Sequence, residues 1–182
     1  MITAMEYERI SQFLQKLAGA LGRCVLLAVV LPLVPVLLFG LPPAPAFALI
    51  TGGFLIEYGA APIGIALGLP PLFVFYVLIC TETGIFLGLF DIFATIGKTS
   101  APVARFLEKT HQLARSSKVT EKYGILGLVP CEILLGVYIC APLSWVMGWR
   151  EYLSLAITIA GYCAALILTI LATIGLLGVF AS

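Results

Sequence analysis

Apolar positions follow two different patterns along the 182-residue chain. Over residues 2–21 they recur at helical spacing. Ile2, Met5, Ile10, Phe13, Leu14, Leu17 and Leu21 share one face, while Glu6, Glu8, Arg9, Gln12 and Lys16 share the other. This predicts an amphipathic helix over 1–23 lying in a membrane interface. From residue 24 the polar face disappears. Residues 24–40 are apolar and uncharged and predict a first membrane span, kinked by Pro32 and Pro35. Residues 70–96, beginning at Pro70-Pro71, and residues 152–180, which carry no charge, predict two more long spans.

Two further apolar segments are full of helix breakers. Residues 46–69 contain Gly52, Gly53, Gly59, Pro62, Gly64 and Gly68, with Glu57 in the middle. Residues 123–149 contain Gly124, Gly127, Pro130, Gly136, Pro142 and Gly148, with Glu132 in the middle. Between these two halves, residues 97–122 hold six of the ten basic residues: Lys98, Arg105, Lys109, Arg115, Lys118 and Lys122. Val103, Phe106, Leu107, Leu113 and Ala114 give that stretch an amphipathic helix of its own, expected on the cytoplasmic surface.

The positions of the basic residues decide how the broken segments run. If both segments cross the membrane, Arg9, Lys16, Arg23 and Arg150 lie opposite the six of the central loop, a poor bias. If each enters and leaves by one face, all ten basic residues share a side, which places the N-terminus in the cytoplasm. Half-helices of about 11 residues, rising 1.5 Å each, also reach roughly the midplane of a core of about 30 Å. The expected fold is therefore an all-α integral membrane protein. It is an inverted repeat of a re-entrant helical hairpin plus a long transmembrane helix, preceded by the amphipathic helix and the first span. The hairpin tips are expected at Gly59, Pro62 and Gly64 and at Pro130 and Gly136. Re-entrant backbone persists in a bilayer only where protein buries it or water bathes it.

Composition narrows the class. The chain is 62% hydrophobic and 10% charged, against about 45–50% and about 25% for soluble domains. It cannot cover a soluble globule with polar surface, and it has too little charge for disorder. Its long continuous apolar runs exclude the alternating segments of a membrane β-barrel. The length suits a single membrane domain in a multi-pass protein of the cell membrane. A net charge of +1 offers no basic surface for nucleic acid.

Candidate chemistry lies in four carboxylates within apolar segments: Glu57, Glu82, Asp91 and Glu132. Each costs about 2.5–3.5 kcal/mol at a helix centre, so they must face protein or water, be protonated, or share a cation. Burial disfavours the charged carboxylate, so such groups can load and release H⁺; paired with freed backbone carbonyls they could instead bind Na⁺. Glu57 and Glu132 occupy comparable places in two hairpins of opposite orientation and are expected to meet, with Glu57 and Glu82 as the next pair. The structural alternatives are a protonated Glu82 bonded to Thr81 or Thr83 and an Asp91 near the interface. Gly84 and Gly88, and Gly161 with Ala165, read as close helix packing. No cofactor or metal is expected. The chain has no phosphate-binding GxxxxGK[ST] motif, no zinc spacing, a lone His111, and Cys24, Cys80, Cys131, Cys140 and Cys163 in apolar stretches. Nor does any nucleophile–base constellation point to an enzyme.

The stretch "EYGAAPIGIALGLPP" (57–71) resembles the family of small multidrug export proteins, distantly related to the DedA-like membrane proteins. Glu57, Gly59, Pro62, Gly64, Gly68, Pro70 and Pro71 carry the resemblance, as does "EKYGILGL" (121–128). The resemblance covers roughly residues 50–180 and implies membrane transport. Three functions are weighed. The first is a secondary transporter of a small amphiphilic or cationic solute, coupled to H⁺ or Na⁺. The second, implied by the DedA-like relation, is a lipid-carrier or phospholipid translocase whose basic loop receives phosphate headgroups. The third is a non-transporting membrane scaffold. Membrane lipids are partners in all three, and a homodimer is left open.

Overall fold

The computed structural model describes residues 4–99 and 124–181. Among them every regular element is helical. The central loop expected over 97–122 lies outside the described residues from residue 100 onward.

The N-terminal segment does not divide at residue 23. Helix α1 (Ala4–Val25) runs through one π-helical turn (Leu26–Val30) into α2 (Leu31–Phe39). No breaker stands at the expected boundary, and the helix stops only at Gly40, which adopts a left-handed φ of 62°. The π turn lies just before the prolines that were expected to bend this span. Pro32 and Pro35 have no N–H to offer the carbonyls of Ala28 and Leu31, four residues back. Helix α5 (Pro71–Thr99) supplies the missing donors. The Thr81 hydroxyl is shared between the Val77 carbonyl of its own helix at 3.0 Å and the Ala28 carbonyl at 3.3 Å, and the Tyr76 hydroxyl donates to the Leu31 carbonyl at 3.1 Å.

Helix α5 is the central element, packing against nearly every other helix. Val74, Val77, Leu78 and Phe86 are fully buried on it. Its Gly84 and Gly88 form the close contact with the N-terminal helix. A Cβ at Gly84 would lie 2.7 Å from the Ala28 amide nitrogen and 2.9 Å from the Cys24 carbonyl oxygen.

Both breaker-rich segments are interrupted helices. Helix α3 (Pro43–Ile56) ends in a 3₁₀ turn (Glu57–Ala60) and is followed by α4 (Ala61–Ala66). The two lie against each other. Ala60 faces Gly52, where a Cβ would sit 2.9 Å away, and Leu49 faces Gly64 at the same spacing. In a straight helix residues 49 and 64 would be about 22 Å apart. Further on, a 3₁₀ turn (Gly124–Gly127) leads into α6 (Leu128–Leu135), and Gly136 separates it from α7 (Val137–Val146). Cys140 Sγ approaches the Leu128 carbonyl at 3.9 Å. Helix α8 (Glu151–Ala181) completes the chain.

Among the described residues four stretches are long and apolar enough to cross a membrane: Ser11–Phe39, Pro43–Ala66, Pro71–Gly97 and Glu151–Leu176. The second contains the interruption at Glu57.

Candidate functional site

The site begins with two unusual backbone positions. Glu57 adopts φ 52° and ψ −128° and is the only non-glycine with positive φ among the described residues. Gly136 adopts φ 77°. An L side chain at such angles costs about 1–3 kcal/mol and persists only where its surroundings hold it. Here the two positions hold each other. Glu57 Oε1 accepts a hydrogen bond from the Val137 amide at 3.1 Å. A Cβ at residue 136 would overlap the Glu57 carboxyl, so glycine is needed there for space as well as for conformation.

Two tyrosines complete the junction reciprocally. The Tyr58 hydroxyl donates to the Ile133 carbonyl at 3.0 Å, and the Tyr138 hydroxyl donates to the Phe54 carbonyl. Each interruption thus gives the other hydroxyl donors for carbonyls at its helix end. A cleft of about 290 Å³ lies over this junction, lined by Glu57, Tyr58, Gly136 and Tyr138 and rimmed by Leu55 and Leu134.

Behind the junction the interior is polar. Glu82 is 1% exposed and Glu132 is wholly buried. Their carboxyls face each other, with Glu57 within electrostatic reach. Apart from each other and Cys140, one oxygen of Glu82 and both oxygens of Glu132 find no hydrogen-bond partner among the described residues. Leaving a buried polar group unsatisfied costs about 1–3 kcal/mol, more if it is charged. Among the described residues neither carboxyl has a Lys or Arg partner, and both ion pairs there belong to Arg23. Gly161 on α8 lets α6 approach closely, since a Cβ there would lie 3.0 Å from the Val129 carbonyl oxygen and 3.4 Å from Glu132 Cβ.

The expected residues are therefore distributed differently from the sequence reading. Glu57 itself stands at the break between α3 and α4. Glu132 sits one helical turn before Gly136 and turns inward, so the carboxyl facing it is Glu82, with Glu57 bound to backbone nearby. Thr81 and Thr83 do not serve Glu82; they donate to the Val77 and Ile79 carbonyls on their own helix. Asp91 is compensated, because Arg23 Nη1 lies 3.0 Å from its Oδ2 and 3.0 Å from Glu151 Oε1. It stands about 13 Å along α5 from Glu82. Gly59 lies in the turn after Glu57, Pro62 opens α4, and Gly64 packs beneath Leu49 and Val74. Pro130 is in the first turn of α6, away from the break.

The sequence reading missed Tyr58, Tyr138 and Tyr162. Tyr162, 1% exposed on α8, lies within electrostatic reach of all three glutamates and meets the Tyr58 ring edge-on at 6.1 Å. A signal for the first two was present. Tyr-x-x-Ala-Pro occurs at 58–62 and again at 138–142, the same displacement of 80 residues that separates Glu57 from Val137. Gly68 and Gly148, each in a left-handed turn before a long helix, repeat at that displacement too.

No protein-family model matches the chain, and neither a curated protein nor a solved structure is found similar to it.

Proposed function

We propose that this chain is a secondary transporter of the cell membrane, moving a small amphiphilic or cationic solute coupled to protons at the Glu82–Glu132 pair. The observation that carries this reading is a buried carboxyl pair, without a Lys or Arg partner among the described residues, directly behind a junction of two broken helices. Two carboxyls in apolar protein cannot both ionise cheaply, so the pair holds and releases protons as a unit. A multivalent metal is a poorer fit, because among the described residues no three His, Cys, Asp or Glu side chains converge to hold one.

The reading includes an inverted repeat in which 43–66 and 124–146 are re-entrant hairpins entering from opposite faces. Three observations support it. The Tyr-x-x-Ala-Pro motif and the turn glycine recur at one displacement. The two interruptions exchange equivalent tyrosine bonds. Finally, α4 packs on α8 as well as on α5, and α7 on α5 as well as on α8, so each second half-helix reaches the other half's long helix. Broken helices converging on ionisable groups suit a site at the midplane. The N-terminus is then cytoplasmic, and kinship with small multidrug export proteins rests on the 57–71 stretch.

Reconstituted protein tests this reading. Under an imposed pH gradient, liposomes should accumulate a lipophilic cation such as ethidium or tetraphenylphosphonium, and Glu82→Gln and Glu132→Gln should abolish the pH-driven component. Transport at the wild-type rate by both variants would sink the mechanism. A second reading, lipid translocation, is favoured by a wholly apolar groove of about 640 Å³ between α2 and the start of α5, lined by Pro35, Phe39, Phe73 and Tyr76. Dithionite quenching of a labelled phospholipid in the same liposomes separates the two readings.

A further inference from the structure

The carboxyl pair is sealed from both the cleft and the surface, so a proton needs a route to it. Along α8 one buried face carries Ser154, Thr158 and Tyr162, spaced so that each lies one turn above the last. Ser154 and Thr158 are wholly buried, and Tyr162 nearly so. At its lower end this face begins at Glu151, joined through Arg23 to Asp91 in a cluster whose side chains are 23–32% exposed. At its upper end stand Tyr162, Gly161 and the carboxyl of Glu132. Glu151 to Tyr162 spans about 16 Å of helix, half of a hydrocarbon core of about 30 Å.

Two hydroxyls on this face behave unlike others in the chain. Thr51, Thr81, Thr83, Thr95, Ser144, Thr169 and Thr173 each donate to the carbonyl four residues back. Ser154 Oγ and Thr158 Oγ1 do not, and neither has a hydrogen-bond partner among the described residues, although both are buried. Both side chains are wholly buried, so these hydroxyls stand in the interior without the carbonyl bond that the others make. Apart from each other and Cys140, Glu82 Oε1 and both oxygens of Glu132 are likewise buried without a partner among the described residues. A hydroxyl is donor and acceptor at once. It can take a proton from water on one side and release its own on the other, with no net change in its bonds. Buried polar groups of this kind are the ones that ordered water bridges.

We propose that the Ser154–Thr158 face of α8 is a proton-access path, in which hydroxyls and bridging water connect the Arg23–Asp91–Glu151 cluster to the Glu82–Glu132 pair. It rests on the proton-coupled reading above and adds the side from which the pair is loaded, the face carrying Arg23. Among the described residues the other ionisable groups facing the pair are Glu57 at the first helix break, Tyr138 and Cys140 on α7, and Tyr162 on α8. None of them is a cation that would block a proton.

The test needs no transported solute. In protein reconstituted into nanodiscs, infrared spectroscopy follows the carbonyl stretch of protonated carboxyls, and transfer to deuterated buffer gives their exchange rate. Glu82→Gln and Glu132→Gln assign the band. Ser154→Ala and Thr158→Val should keep the band but slow its exchange by about tenfold or more, the cost of roughly one hydrogen bond in the barrier. Thr158→Ser, which keeps the hydroxyl and packs conservatively, should restore the rate. Exchange at the wild-type rate in both Ser154→Ala and Thr158→Val overturns the path and leaves the coupled pair standing. Absence of the band in the wild type overturns the pair itself, and the path with it.

Discussion

Glu57 and Val137 are 80 residues apart, yet the Glu57 carboxylate accepts the Val137 amide at 3.1 Å. A glutamate holding positive φ at one helix break thus caps the N-terminus of the helix after the other break. The bond and the strain are linked, because the fixed side chain helps to hold the unfavourable backbone.

Substitutions at Glu57 separate these two effects. Glu57→Ala loses the bond and keeps the strained backbone. Glu57→Gly loses the bond but relieves the strain, since glycine adopts φ of 52° freely. The glycine variant should therefore be the more stable of the two by about 1 kcal/mol. Glu57→Gln keeps an acceptor oxygen and should lie above both. Thermal unfolding in detergent ranks the three, and an alanine variant equal to the glycine variant would show that the backbone stores no strain.

Gly136→Ala attacks the same junction from the other side. Its Cβ would overlap the Glu57 carboxyl at a backbone φ of 77°. We expect a loss of about 3 kcal/mol or more, combining the strain with the displaced carboxyl. Glu57→Gly in the same chain should recover part of this loss. Such rescue, measured as a double-mutant cycle, is the expected sign of direct contact.

Tyr76→Phe removes the donor to the Leu31 carbonyl, which Pro35 leaves without its helical partner. The expected cost is about 1 kcal/mol. Pro35→Ala restores an amide that can bond Leu31 within the helix, so Tyr76→Phe should cost less in that background. Equal cost in both backgrounds would refute the role assigned to Tyr76.

Gly84→Ala tests the contact between α5 and the N-terminal helix. The new methyl would meet backbone, at 2.7 Å from the Ala28 nitrogen, and backbone cannot rotate aside. A loss of about 1–3 kcal/mol or more is expected. Gly22→Ala is the control, because nothing lies within 4 Å of a Cβ there. It should be neutral or stabilising by about 0.5–1 kcal/mol from helix propensity alone.

Much of the framework was legible in the sequence because the relevant physics is local. Long apolar runs marked α5 and α8, and clustered glycine and proline marked both interrupted segments, since each residue's transfer cost and backbone freedom belong to that residue. Glu57 could be placed at a helix break by its glycine neighbours. The close contact at Gly84 was readable from the spacing of Gly84 and Gly88, a property of one helix face. The join of α1 to the first span was not, because an amphipathic stretch and an apolar one are equally helical and only a breaker would have parted them.

What the tertiary structure alone decided were the partners. Glu132 faces Glu82, 50 residues away in sequence, because one turn of α6 points it away from its own helix break and Gly161 lets α8 press it inward. Asp91 left the set of unpaired acids because Arg23, on a helix 68 residues earlier, packs beside it. Thr81 and Tyr76 were ordinary polar residues until α5 lay against two carbonyls orphaned by proline. Hydropathy and spacing report what each segment needs to bury or satisfy. Which distant segment meets that need depends on how the helices pack, and that is set by the whole chain at once.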